Sequence, residues 1–317
     1  MRKALTSALI DLAAQDERVV LLTADLGFMV LEPFIERFPD RFFNVGVAEQ
    51  NMIGVATGLA EAGFVPFVYS IVTFASLRPY EFIRNGPVLH QLPVRIAAIG
   101  GGYEYGDAGP THHGLEDAGV MRIQPGLTVV APADHQQARA AVLATWDLPG
   151  PVYYRLGKDD QAVVPGLDGR FELGRIQTVT KGDDVLLVAM GSIAGEAVRA
   201  AERLGKHGIM ATVAVVSSLN PAPTADLADL LSQFPNVNRS PRVFTVEAHY
   251  VNGGVGSLVA EVIAENRIDC QLVRLGVRSS PDGISGGQAF LYRKHGIDRD
   301  GIAEAVVRAF TPAPREA

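Results

Sequence analysis

Cysteine is nearly absent from the chain, with Cys270 as its single representative. One thiol forms no internal disulfide and no thiolate metal cluster, which is typical of a reducing compartment, so we expect a cytoplasmic protein. The sequence also lacks any run of about 18 apolar residues, so no membrane-spanning helix is expected. The apolar stretch after Lys3 stops at Asp11 without a cleavage site, which argues against a signal peptide.

Basic residues are outnumbered, since 28 Lys and Arg stand against 35 Asp and Glu for a formal net charge of −7. This balance disfavours nucleic acids and anionic membranes as partners. Apolar residues, in contrast, make up 48% of the 317 positions. The chain therefore has enough apolar material for a sizeable core and about two domains.

Short apolar runs alternate with helical patterns in the first half of the chain. Strands are predicted over 19–23, 42–45, 64–69, 94–99, 128–131 and 152–155, and helices over 50–62, 74–89 and 134–145. Continuously apolar strands separated by helices predict a parallel sheet that is covered on both faces. We therefore expect a doubly wound α/β domain over residues 1–160.

The periodicity lapses over 161–180, which predicts a linker. A second α/β series follows, and residues 181–317 are expected to form a smaller domain. Its strands are predicted over 185–189, 211–216, 243–246 and 271–275, and its helices near 193–206, 224–233, 254–265 and 298–309.

Two familiar motifs fail in the loop that follows the strand at 94–99. Gly100-Gly101-Gly102 is not a dinucleotide fingerprint, because Tyr105 stands where the third glycine is needed. His112 and His113 are adjacent on an extended loop, so their side chains point apart, and no cysteine or third histidine accompanies them. We therefore expect this chain to hold no metal ion.

The segment NVGVAEQNM at 44–52 places Glu49 where an apolar strand enters a helix. Glutamate is rarely buried without a purpose, although Glu49 could merely favour the positive end of the helix. The same helix carries Gly54, Gly58 and Ala62 at four-residue spacing. This stripe of small residues predicts close packing against a partner.

Glu49 is accompanied by TADL at 23–26, FAS at 74–76 and GPTHHGLED at 109–117. In this order and spacing the motifs resemble the transketolase family of thiamine-diphosphate enzymes. Residues 1 to about 160 are similar to its pyrimidine-binding domain, and VEAH at 246–249 with GGVG at 253–256 is similar to its C-terminal domain. The resemblance implies transfer of a two-carbon ketol unit from a ketose-like donor to an aldehyde.

The family's Gly-Asp-Gly motif, which binds the diphosphate and Mg²⁺, is missing from the sequence. The Gly-Asp pairs at 106–107 and 182–183 lack the following glycine. The chain therefore resembles the C-terminal subunit of a split transketolase. A separate N-terminal subunit is expected to hold the diphosphate and Mg²⁺ in a heterotetramer with two copies of each chain.

The resemblance also implies roles for individual residues in cofactor binding. Glu49 matches the glutamate that meets N1′ of the cofactor's aminopyrimidine and shares its proton, and Phe74 matches an aromatic residue that stacks on the same ring. Asp25 matches an acidic residue near the thiazolium, although a turn residue that caps the next helix would look the same. Ile71 stands where the family has another aromatic residue, so the ring pocket is expected to be partly aliphatic.

Substrate contacts follow from the same comparison. His112 matches the histidine that faces the donor's oxygens, and His113 is either a second contact or a packing residue. The family grips a sugar phosphate with a histidine, a serine and an arginine, which are Gly100, Met29 and Lys158 in this chain. With one cation left, we expect at least one substrate to differ from the usual pentose and hexose phosphates.

Two alternatives remain open. The β subunit of a 2-oxo acid dehydrogenase shares the domain order, but it typically has a His-Ser pair where this chain has His112 and His113. A catalytically silent scaffold subunit is the non-enzymatic alternative, and the presence of both Glu49 and His112 argues against it.

Overall fold

Two β-sheets organise the part of the chain that the computed structural model describes, residues 1–235, 242–279 and 282–310. The helices are α1 (Arg2–Gln15), α2 (Glu32–Arg37), α3 (Glu49–Glu61), α4 (Val72–Ser76), α5 (Tyr80–Ile83), α6 (Asp117–Arg122), α7 (His135–Thr145), α8 (Ala194–Gly205), α9 (Thr224–Leu231), α10 (Val255–Glu265), α11 (Gln288–Lys294) and α12 (Arg299–Phe310). The strands are β1 (Val19–Thr23), β2 (Phe42–Asn44), β3 (Val65–Ile71), β4 (Arg95–Ile99), β5 (Thr128–Val130), β6 (Val152–Leu156), β7 (Ile176–Thr180), β8 (Val185–Met190), β9 (Ala211–Val216), β10 (Ser218–Asn220), β11 (Val243–Tyr250) and β12 (Leu272–Val277). Within those described ranges, no helix is long and apolar enough to cross a membrane.

The first sheet has the strand order β10-β5-β6-β4-β3-β1-β2. All neighbours are parallel except β10, which runs antiparallel to β5. Every residue of β1, β3, β4 and β6 is buried, which explains why these strands are mostly apolar in the sequence. The predicted α/β class is confirmed.

The second sheet has the order β12-β11-β8-β9-β7, with β7 antiparallel to β9 and the other pairs parallel. Two strands were not expected from the sequence. β7 lies inside the stretch predicted as a linker, 161–180, and pairs with β9. β10 follows β9 along the chain and crosses to the first sheet, so that sheet includes residues from the second half of the sequence.

The helix expected over 74–89 is not continuous. It is divided into α4, α5 and a π-helical segment, Arg84–Val88. Pro79 immediately precedes α5 and Pro87 lies in the π-helical segment. Proline has no N–H to donate and clashes with the preceding turn, which accounts for both interruptions.

A buried ion pair links the two domains. Arg155 on β6 donates from Nε to both carboxylate oxygens of Asp117, at 3.1 and 2.9 Å. Its Nη2 donates to the backbone carbonyls of Gly114 and Ala248, at 2.8 and 3.0 Å. Because Ala248 lies on β11, one arginine connects the first sheet, the loop that contains His112 and the second sheet.

Glu247 on β11 is a second buried charge-bearing residue, next to the start of α10. Its Oε1 accepts a hydrogen bond from Gly256 N at 3.1 Å, whereas no described residue hydrogen-bonds to Oε2. Gly254 leaves room for this oxygen, since a Cβ there would lie 1.9 Å from it. Burial raises the pKa of the Glu247 carboxyl to about 7.

This raised pKa predicts a pH-dependent stability. The unfolded carboxyl releases its proton near pH 4.5 and the folded one near pH 7, so stability is lost as the pH rises between these values. In Glu247→Gln the side chain no longer titrates. Its free energy of unfolding relative to wild type should therefore rise by about 3 kcal/mol from pH 4 to pH 8. Urea unfolding across this range is the measurement, and Glu265→Gln at the exposed end of α10 is the control. An equal difference at every pH would contradict the assignment.

Candidate active site

Glu49, Phe74 and His112 come from the segments that follow β2, β3 and β4, at the carboxyl edge of the first sheet. Glu49 begins α3 shortly after β2, and Phe74 lies in α4 directly after β3. His112 ends a 3₁₀ turn, Pro110–His112, in the loop that follows β4. In open parallel sheets, ligands bind outside the carboxyl ends of the strands.

Glu49 is buried, with an exposed fraction of 2%, and is paired with Arg78. Nη1 of Arg78 donates to both carboxylate oxygens, at 2.9 and 2.8 Å. The Arg78 side chain is itself 46% exposed. The pair therefore joins a buried carboxylate to a guanidinium that reaches the surface.

The Phe74 ring contacts both Arg78 and His112. The Cζ atom of Arg78 lies 3.9 Å from the centre of the Phe74 ring, which is a cation–π stack. The His112 ring meets Phe74 edge to face, with the ring centres 4.9 Å apart. Glu49, Arg78, Phe74 and His112 thus form one continuous set of contacts, which we call the Glu49 cluster.

His112 is half-buried in this cluster. Desolvation lowers the pKa of its imidazole, and the positive charge of Arg78 lowers it further. Both effects favour the neutral form of the ring. The Thr111 hydroxyl lies 3.0 Å from its Nδ1.

Asp25 and Ile71 follow or end strands at the same edge of the first sheet. Asp25 is exposed, has a positive φ of 57°, and is held by Asn44, whose amide group accepts from Asp25 N at 3.0 Å and donates to Asp25 Oδ1 at 3.1 Å. Ile71 is the last residue of β3 and is buried in the core. The structure thus places Asp25 at the surface of this edge and buries Ile71 immediately before α4.

Gly100 and Lys158 both meet the ring of Tyr105. A Cβ on Gly100 would lie 2.2 Å from two carbons of that ring, so the ring fills the space that a side chain at position 100 would need. The ammonium group of Lys158 lies 4.7 Å from the ring centre. Tyr105 also lies 6.4 Å, centre to centre, from the His112 ring.

A cavity of about 750 Å³ opens beside Lys158. Its lining residues include Arg2, Met29, Glu104, Asp107, Lys158 and Gln288. Glu104 accepts a hydrogen bond from Lys158 N and another from the Ser192 hydroxyl, at 2.6 Å for the hydroxyl, so it joins the two domains. The cavity lining carries charges of both signs.

His113 packs against Tyr103. It is buried, and its ring meets Tyr103 edge to face with the centres 5.0 Å apart. Tyr103 is stacked on its other side against His295 of the second domain, at 5.3 Å. His113 therefore packs at the domain boundary, and we propose no substrate contact for it.

Sequence reasoning missed Arg78, Glu104 and the role of Tyr105. Arg78 lies in the turn between α4 and α5, and its pairing with Glu49 depends on how that turn approaches α3, so no sequence pattern indicated it. Glu104 and Tyr105 offered no signal either, because their contacts depend on how the glycine-rich loop folds back. In the described residues, no three His, Cys, Asp or Glu side chains gather in a way that could hold a metal ion.

Two protein-family models match the chain. The transketolase pyrimidine-binding domain matches residues 1–162, and the transketolase C-terminal domain matches residues 174–302.

Individual proteins are also similar to the chain. It is 36% identical over 274 residues to a subunit of the apulose-4-phosphate transketolase of Actinobacillus succinogenes, covering 86% of each chain. It is 35% identical over 310 residues to the 6-deoxy-6-sulfo-D-fructose transketolase subunit of Clostridium sp. (strain MSTE9), covering 98% of this chain and 92% of the relative. Among solved structures, a split gene transketolase described as an inactive β4 tetramer superposes with a TM-score of 0.86 at 38% identity, covering 97% of both chains.

Proposed function

The chain belongs to the transketolase family, and on that premise we propose that it is the C-terminal subunit of a thiamine-diphosphate-dependent transketolase built from two kinds of chain. The assembled enzyme transfers a two-carbon ketol unit from a ketose-like donor to an aldehyde acceptor. We place it in the cytoplasm because its single cysteine suits a reducing compartment. The observation that carries the proposal is that the Arg78 guanidinium lies over the Phe74 ring and bonds the Glu49 carboxylate; we call the space that it occupies the aminopyrimidine slot.

The slot suits the cofactor's aminopyrimidine. The flat guanidinium of Arg78 stacks on Phe74 at 3.9 Å while its nitrogen meets both oxygens of Glu49. An aminopyrimidine is also flat and also presents nitrogen atoms at its edge to a carboxyl group. The residues present therefore fit this group.

Glu49 is assigned the proton at the pyrimidine N1′ atom. When bound, thiamine diphosphate supplies a carbon acid and an electron sink for cleavage beside a ketose carbonyl. Glu49 holds and shares a proton at N1′, and its 2% exposure keeps water from that proton. Phe74 orients the ring by stacking on its face.

His112 is assigned to the donor's oxygens. Burial lowers the pKa of its ring, which favours the neutral form. With the Thr111 hydroxyl 3.0 Å from Nδ1, Nε2 is the atom left to donate a hydrogen bond to a carbonyl or developing alkoxide oxygen. Asp25, fixed by Asn44 at the same sheet edge, is assigned to the thiazolium side.

The partner chain is assigned the diphosphate and Mg²⁺, because this sequence lacks the Gly-Asp-Gly motif. An open face of α3 supports association: a Cβ on Gly54 or Gly58 would meet nothing within 4 Å, and Phe82 and Leu89 nearby are 42% and 68% exposed. We propose that this face is covered in a heterotetramer of two copies of each chain. The similar split gene transketolase structure is a β4 tetramer and is described as inactive, which supports the need for a second kind of chain.

The substrate is proposed to differ from the usual pentose and hexose phosphates. Tyr105 fills the space above Gly100, and Met29 replaces a hydroxyl, so Lys158 is the one of these three family positions that still carries an anchor for an anionic group. Two relatives are named for apulose 4-phosphate and for 6-deoxy-6-sulfo-D-fructose, which are such unusual sugars. The cavity of about 750 Å³ beside Lys158 has room for the substrate's tail.

Assembly is tested first. Half of the cofactor site is missing, so calorimetry of the purified chain with Mg²⁺ and thiamine diphosphate should show weak binding or none. Adding the diphosphate-binding subunit should restore binding. Micromolar binding by this chain alone would contradict the two-chain site.

The role of Glu49 is tested by Glu49→Gln, which keeps the shape and removes the transferable proton. Exchange of the cofactor's C2 proton with deuterated solvent in the assembled complex should slow by about 100- to 10,000-fold. Sedimentation should show unchanged assembly, and Glu61→Gln at the exposed end of α3 is the matched control. If Glu49→Gln leaves exchange unchanged, the subunit is better described as a silent scaffold.

The substrate is tested by steady-state kinetics of the complex with fructose 6-phosphate, xylulose 5-phosphate and ribose 5-phosphate. Losing two anchors should weaken such substrates by roughly 100-fold or more. We expect kcat/KM below about 10⁴ M⁻¹ s⁻¹, and values at or above it would show that the missing anchors are not needed. Turnover of a 2-oxo acid without ketol transfer would favour a dehydrogenase β subunit.

A further inference from the structure

Arg78 reaches from the surface to a buried carboxylate. Its guanidinium lies over the Phe74 ring and pairs with Glu49, and Glu49 is the one described residue that accepts a hydrogen bond from this side chain. Almost half of the Arg78 side chain is open to solvent. The guanidinium can therefore leave without disturbing the core.

The same two contacts define the aminopyrimidine slot. A ring stacked on Phe74 and joined to Glu49 cannot be present while the guanidinium lies 3.9 Å above Phe74, because stacked groups need about that separation. We propose that Arg78 fills the aminopyrimidine slot in the unassembled subunit and is displaced when thiamine diphosphate binds. Arg78 is thus an internal competitor of the cofactor. This inference rests on the proposed function.

The arrangement also has a purpose in the free chain. A carboxylate with 2% exposure is costly without a partner. Arg78 neutralises Glu49 until the cofactor takes over that contact. Its departure also removes a positive charge that lowers the pKa of His112, so cofactor binding and the protonation of His112 are linked.

Simple electrostatics gives the opposite expectation for an arginine near the site. Removing a cation should weaken the binding of an anionic diphosphate. Removing a competitor should strengthen it. The sign of the change in affinity therefore separates the two roles of Arg78.

The experiment is calorimetric titration of thiamine diphosphate, with Mg²⁺, into the complex of this chain and its diphosphate-binding subunit. Arg78→Ala removes both the stack and the ion pair, and should tighten binding by about 10- to 100-fold, the range of hydrogen bonds to a charged group. Arg78→Lys keeps the charge and loses the planar stack, so it should fall between Arg78→Ala and wild type. Arg84→Ala is the matched control, because this exposed arginine after α5 bonds Asn85, and its removal should leave affinity unchanged.

The outcomes are distinct. Tighter binding by Arg78→Ala, with Arg78→Lys intermediate and Arg84→Ala unchanged, supports the inference. Binding by the wild-type complex with equal or weaker binding by both Arg78 variants overturns the inference and leaves the proposed function intact. Absence of cofactor binding to the wild-type complex overturns the proposed function, and the inference with it.

Discussion

A carboxylate that is nearly removed from water must be paired, and this requirement at Glu49 organises the candidate site. Arg78 is the cation that pairs with Glu49, and its guanidinium also lies over the Phe74 ring. The His112 ring packs against Phe74 in an edge-to-face arrangement. In the free chain the pair is satisfied internally. We propose that catalysis begins when a cofactor nitrogen replaces the arginine at the same carboxyl group.

The fold holds this group in place through a second buried charge pair. Asp117 and Arg155 are both almost completely buried, and Arg155 also bonds carbonyls of the His112 loop and of β11. Breaking a buried pair leaves an uncompensated charge, which costs about 3–5 kcal/mol, so the loop and the second domain are firmly connected to the first sheet. The second domain therefore helps to position His112, although His112 belongs to a loop of the first domain.

The sequence was sufficient to predict the buried parallel strands, because continuous apolar runs between helices are typical of strands covered on both faces. It was not sufficient for β7 and β10, which pair at the edges of the sheets and are short and partly polar. The motifs located Glu49, Phe74 and His112, since each follows a predicted strand. The partner of Glu49 could not be predicted, because it depends on how α3 and the chain after α4 approach each other. Gly100 is explained only by the Tyr105 ring that packs on it.

The central claim is that Glu49 meets the aminopyrimidine of thiamine diphosphate in a site completed by another chain. The most direct test is a crystal structure of the two-chain complex with the cofactor bound. We expect a Glu49 oxygen within about 2.6–3.2 Å of N1′, the distance of a catalytic hydrogen bond, with the pyrimidine stacked on Phe74. A cofactor bound elsewhere, with Glu49 still paired to Arg78, would contradict the account.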